Sequence, residues 1–101
     1  MHDMSNLEKL GKLDSGAKDG MKAFWAFDKA AFAEGAIDGK TKQLLALAVA
    51  LTTQCAYCIE LHTKAARDAG ATNEELSETA VVAAAIRAGG AITHATHMFE
   101  K

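Results

Sequence analysis

No proline occurs in the 101 residues, so glycines and side-chain caps must mark the ends of the secondary structure. No run is both long enough and free enough of charge to span a bilayer. Neither sign of charge is in excess: 11 Lys and Arg against 13 Asp and Glu leave −2, which marks neither a nucleic-acid nor a membrane partner. The opening "MHDMSNLEKL" lacks the basic start, apolar stretch and small-residue cleavage pattern of a secretory signal, so the expected location is the cytoplasm. Two cysteines are too few for a disulfide-stapled scaffold, and a reducing compartment disfavours a static bridge between them. No internal repeat, linker or low-complexity segment divides the chain, which reads as one domain over residues 1–101 with 1–16 loosely attached.

Alanine is what the chain has in quantity, 22 residues of it, so the available core side chains are small and helices must approach closely to touch. A domain of this size hides only about two thirds of its unfolded surface, and an alanine core captures less apolar area still. Self-association is therefore expected, with the alanine-rich stretch 80–88 and Gly89-Gly90 suited to close helix contact.

The pattern is all-α, a bundle of five to six helices. Leu7, Leu10 and Leu13 recur every three residues in a short amphipathic segment ended by Asp14-Ser15-Gly16. A second helix is expected from about Ala17 to Glu34, with Met21, Phe24, Trp25, Ala31 and Phe32 on one face and Gly35 as its cap. "KTKQLLALAVALTT" follows; its unbroken apolar run predicts a helix buried on most sides, with Asp38 as N-cap. The next helix carries the cysteines and stops at Gly70, and "TNEE" at 72–75 is a capping box that starts the last one. Gly89-Gly90 should bend that last helix or admit another backbone.

Between Lys40 and Ala69 neither glycine nor proline forces a break. One continuous helix would separate Gln43 from His62 by roughly 28 Å. A hairpin turning near Thr52-Thr53-Gln54 would instead bring position 43 beside 62 and 63. The hairpin is the expectation, since about thirty residues exceeds the usual helix and two threonines can cap a restart.

Within "QCAYCIELHTKAARDAG", Cys55, Cys58 and His62 stand at i, i+3 and i+7, one stripe of a helix. Residues three apart on a helix have Cα atoms roughly 5 Å apart, inside the range a disulfide tolerates. A thiol must ionise to react, and two effects compete: the helix start favours an anion at Cys55, while His62 can take the proton of Cys58. The helix terminus contributes about 0.3–1 kcal/mol, whereas a histidine partner can shift a thiol by several units. Cys58 is thus expected to attack and Cys55 to resolve.

The span from Gln43 to His62, within "LLALAVALTTQCAYCIELHTKAARDAGATNEEL", resembles the carboxymuconolactone decarboxylase-like family, in particular its alkylhydroperoxidase D branch. The likeness covers roughly residues 20–100. That branch carries a glutamate, eleven residues, C-x-x-C and a histidine after three more. The resemblance implies an all-helical fold, homotrimers or homohexamers, and thiol-dependent peroxidase activity with no cofactor. It gives peroxide attack to Cys58, disulfide closure to Cys55 and a proton relay to His62, with electrons from a dithiol or lipoylated protein. This chain departs from the pattern at Gln43, in the glutamate position, because an amide orients an imidazole but carries no charge to stabilise imidazolium. Tyr57 stands where some members place a second histidine.

Other readings compete. A zinc site needs a fourth donor beyond Cys55, Cys58 and His62, to be found in His94 or His97, which read more simply as exposed or interface histidines. A lyase acting on a lactone or acid would call on Arg67 and Arg87, the only arginines. A binding oligomer with a vestigial dithiol is the reading outside enzymology, and Gln43 is its best support. Phe24, Trp25, Phe27 and Phe32 read most simply as packing surface, with the lining of a substrate pocket as the alternative for some of them.

Overall fold

The computed structural model describes residues 2–100, and every regular element among them is helical. A 3₁₀ turn, Met4–Lys9, begins where the Asp3 carboxylate accepts from the Ser5 amide and hydroxyl, and it runs directly into α1, Leu10–Gly16. Ala17 leaves helical geometry at φ −139° and ψ 63°, and α2 follows as Lys18–Phe32. The Trp25 indole donates to the Asp14 carboxylate at 2.7 Å and clamps these two helices together. α3 is Gly39–Thr53, α4 is Ala56–Asp68 and α5 is Asn73–Ala95, with a last 3₁₀ turn at Thr96–Met98.

The start and stop signals act locally, as their chemistry requires. Asp38 caps α3 by accepting from the Thr41 amide at 2.8 Å, and that bond holds its carboxyl below the usual carboxylate range. Gly70, at φ 97°, takes the left-handed conformation after α4. Thr72 and Glu75 exchange both bonds of the capping box, at 2.9 and 3.1 Å. Glu75 also accepts from Lys40 at 2.9 Å, tying the start of α5 to the start of α3.

Packing centres on α3, lying against α4 on one side and α5 on the other. Leu47 and Ala50 of α3, Ala66 of α4, Ala83 of α5 and the linker residue Ala71 form the buried core. No large side chain is fully buried among the described residues.

Three expectations need correction. α2 ends at Phe32 rather than Glu34, and Gly35 does not cap it: Ala33 is extended, and the Lys42 ammonium takes the carbonyls of Ala31 and Ala33. α3 is not buried on most sides, since Leu45 is 50% and Val49 61% exposed, because α4 and α5 cover only part of its circumference. Gly89-Gly90 neither breaks α5 nor admits a neighbour within this chain: the helix runs through, and a Cβ at either position would meet open space. No helix among the described residues is long and apolar enough to cross a membrane.

Candidate functional site

The chain folds back at Gln54, which sits in the left-handed region at φ 56° and ψ 40° and ends α3. The two threonines close the outgoing helix instead of capping the returning one, since both hydroxyls donate to the Val49 carbonyl, at 2.8 and 3.0 Å. Cys55 is the cap of α4. Its backbone is extended, outside the helix, and its Sγ accepts the Cys58 amide at 3.3 Å. The stripe read from sequence is therefore modified at one end: Cys55 lies at the mouth of α4, while Cys58 and His62 stand on successive turns of it.

This placement decides the thiol acidities. The Cys58 thiol donates to Cys55, and the amides of Cys58 and Tyr57 add to it, so Cys55 is held below the usual thiol range. Cys58 moves the other way: its proton is held by Cys55, burial disfavours its anion, and a charge on Cys55 repels it. The free amides at the mouth of α4 lie against the sulfur itself, whereas the His62 ring is turned toward α3.

The hairpin brings Gln43 and His62 together as expected, with 2.7 Å between the amide oxygen and Nδ1. A carbonyl oxygen only accepts, so Nδ1 carries the hydrogen and Nε2 keeps its lone pair. On its face the imidazole is stacked by Phe32, with ring centroids 5.2 Å apart and planes inclined by 14°. Phe32 reaches that position because α2 stops there, and Lys42, adjacent to Gln43, holds the carbonyls on either side of it. Sequence reasoning missed both roles. Phe32 read as packing or pocket lining, with no link to His62, and nothing local to Lys42 marks it as a helix cap.

Four residues thus form two pairs, Cys55 with Cys58 and Gln43 with His62, all half-buried and joined by one turn of α4. Tyr57, between the cysteines, accepts from the Asn6 amide at 3.0 Å, and the His2 ring lies 5.0 Å away, so the N-terminal turn reaches the dithiol helix. Among the described residues no three His, Cys, Asp or Glu side chains converge on one point. His94 and His97 are exposed and face each other at 5.4 Å. Arg67 and Arg87 line separate grooves, on α4 and on α5, and do not jointly face a carboxylate-sized pocket.

Comparison with known proteins places this arrangement. The carboxymuconolactone decarboxylase family profile matches residues 18–101. A protein of Paracoccus denitrificans described as "Uncharacterized protein 4 in cox locus" is 58% identical over 73 residues, which are 72% of this chain and 66% of that protein, just under two thirds of its length. An uncharacterised protein of Cupriavidus necator is 35% identical over 82 residues, 81% of this chain and 71% of its own. Among solved structures, the apo form of a carboxymuconolactone decarboxylase family protein from Legionella pneumophila superposes with a TM-score of 0.78 and 34% identity, over 91% of this chain and 82% of that one. A protein from Methanobacterium thermoautotrophicum does so with a TM-score of 0.81 and 34% identity, over 85% and 97%. With the match running from the start of α2 through the dithiol hairpin to the last residue, the chain belongs to the carboxymuconolactone decarboxylase family.

Proposed function

We propose that this protein is a thiol-dependent oxidoreductase that reduces hydroperoxides through the Cys55–Cys58 dithiol, with His62 as proton acceptor and Gln43 as the group that orients it. The observation that carries the reading is the pairing at the hairpin: a thiol held at a helix mouth by the Cys58 amide, one turn from an imidazole whose Nδ1 is engaged by Gln43. The lowered pKa of Cys55 suits a resolving thiolate and a good leaving group. Cys58, harder to ionise, becomes the stronger nucleophile once its proton is drawn off.

In this mechanism Nε2 of His62 takes the Cys58 proton, and the sulfur attacks the distal peroxide oxygen. The O–O bond breaks, the alkoxide recovers the proton from imidazolium, and Cys58 is left as sulfenic acid. The Cys55 thiolate then attacks the Cys58 sulfur; hydroxide departs and takes up a proton from solvent as water, closing the disulfide. One hydroperoxide is reduced by two electrons and the dithiol is oxidised by two. An external dithiol, the donor class the family likeness suggests, reopens the bond.

The test is peroxide consumption with a panel of dithiol donors, beside mass spectrometry after a stoichiometric pulse. The reduced protein should lose two hydrogens, Cys55→Ser should stall with a trappable sulfenate at Cys58, and Cys58→Ser should consume no peroxide. Full turnover in Cys58→Ser with sulfenate at Cys55 reverses the sulfur roles, and thiols inert to peroxide in folded, reduced protein refute the activity.

A further inference from the structure

A turn outside the family-matched segment reaches the dithiol. The family profile begins at residue 18, and the 3₁₀ turn Met4–Lys9 lies ahead of it. That turn is fixed at both ends. Asp3 caps it, and the Asn6 backbone amide donates to the Asp3 carbonyl at 2.9 Å. At its other end it continues into α1, which the Trp25 indole holds through Asp14. From this frame the half-buried Asn6 side chain donates to the Tyr57 hydroxyl at 3.0 Å, across 51 residues of sequence.

Tyr57 occupies the first turn of α4, between the two cysteines, and its backbone amide joins that of Cys58 in facing the Cys55 sulfur. One residue thus carries both contacts, so a bond that holds its hydroxyl also restrains the turn that presents the amides. What those amides face depends on oxidation state. A reduced Cys55 offers them a thiol or thiolate, whereas a sulfur bonded to Cys58 is neutral and a poorer acceptor.

We infer that Asn6 is a positioning residue for the dithiol: by holding the Tyr57 hydroxyl it keeps the first turn of α4 in the arrangement that suits the reduced pair, and so biases the Cys55–Cys58 couple toward the dithiol. This role rests on the redox reading above but not on peroxide as the oxidant. A contact made more strongly in the reduced state raises the reduction potential, and by linkage closing the disulfide loosens the contact. A net hydrogen bond contributes about two- to tenfold to an equilibrium constant. With part of the bond surviving oxidation, its loss should move the couple about threefold, or about 14 mV at about 29.6 mV per tenfold.

The experiment equilibrates the intact protein in glutathione redox buffers and reads the oxidised fraction by mass after an acid quench. Each closure consumes one glutathione disulfide, passes two electrons and two protons to it and releases two glutathione thiols. Asn6→Leu, similar in size but without the donor, should favour the disulfide about threefold more than wild type, and in a Tyr57→Phe background the same substitution should add nothing. An unshifted Asn6→Leu, a shift toward the dithiol, or a shift that persists undiminished in Tyr57→Phe overturns the proposal. Millisecond hydrogen exchange of wild type makes the test without any variant: amides of residues 4–9 should exchange faster in diamide-oxidised protein than in reduced protein, and equal or slower exchange refutes the coupling. A dithiol that stays reduced at every glutathione ratio overturns this role and the redox reading together. One that shifts as expected but ignores peroxide supports this role and removes only the peroxidase reading.

Discussion

Replacing Gln43 tests the proposed proton path in both directions. The amide oxygen lies 2.7 Å from Nδ1, and both side chains are half-buried. When the ring accepts the Cys58 proton this bond becomes charge-assisted, a class that contributes about 1.5–3 kcal/mol. Water reaching the half-open site recovers part of it, so Gln43→Ala should lose about 1–2 kcal/mol and form the disulfide about five- to thirtyfold more slowly. Gln43→Glu keeps the length and adds a charge. At about 4 Å that charge stabilises imidazolium by about 1 kcal/mol in a water-like medium and about 4 at an effective dielectric constant near 20. Partial exposure places the gain near 2 kcal/mol, about thirtyfold faster. The assay is quenched-flow mass spectrometry, following the loss of two hydrogens after one equivalent of peroxide. In alkaline buffer, where Cys58 ionises without help, the three proteins should converge. Rates that all agree within about twofold at neutral pH, or that shift in the same direction, would refute the role given to Gln43.

The thiols should titrate in a defined order, Cys55 alkylated by iodoacetamide at lower pH than Cys58; Cys58→Ala should raise the Cys55 midpoint, and Cys55→Ala should lower that of Cys58. Because the Cys55 value is depressed by folding, its contribution to stability is complete above the ordinary thiol range and is lost as pH falls through the folded value. In Cys58→Ser, whose hydroxyl still donates, the melting temperature should therefore rise with pH across that window; a flat profile contradicts the bonding described. Gln54→Gly relieves a left-handed non-glycine residue and should stabilise the fold by about 1 kcal/mol, a rise of roughly 4–8 °C in Tm, while Gln54→Val should lower it. Phe32→Ala removes the ring stacked on His62 and should slow disulfide formation about two- to tenfold with helix content unchanged; an unaltered rate would make the stacking incidental.

Features that depend on residues three or four apart were legible before any fold was known. Asp38 with Thr41, and Thr72 with Glu75, satisfy amides within their own first turns, and Gly70 needs only its missing Cβ. The register that joins Gln43 to His62 was expected from segment length together with a turn placed at the two threonines, because two helices of ordinary size pivoting near Thr53 oppose those positions. What the tertiary structure decided has partners distant in the chain or departures of a residue or two at a helix end. Lys42 stops α2 at Phe32 from across the α2–α3 turn, and so sets a ring on the imidazole. Cys55 falls just outside α4 instead of within it, and this displacement of one position hands it the free amides and the lower pKa of the two thiols. The apolar run of α3 announced burial but not by what: α4 and α5 reach only part of the helix, and the remaining face has no cover within one chain.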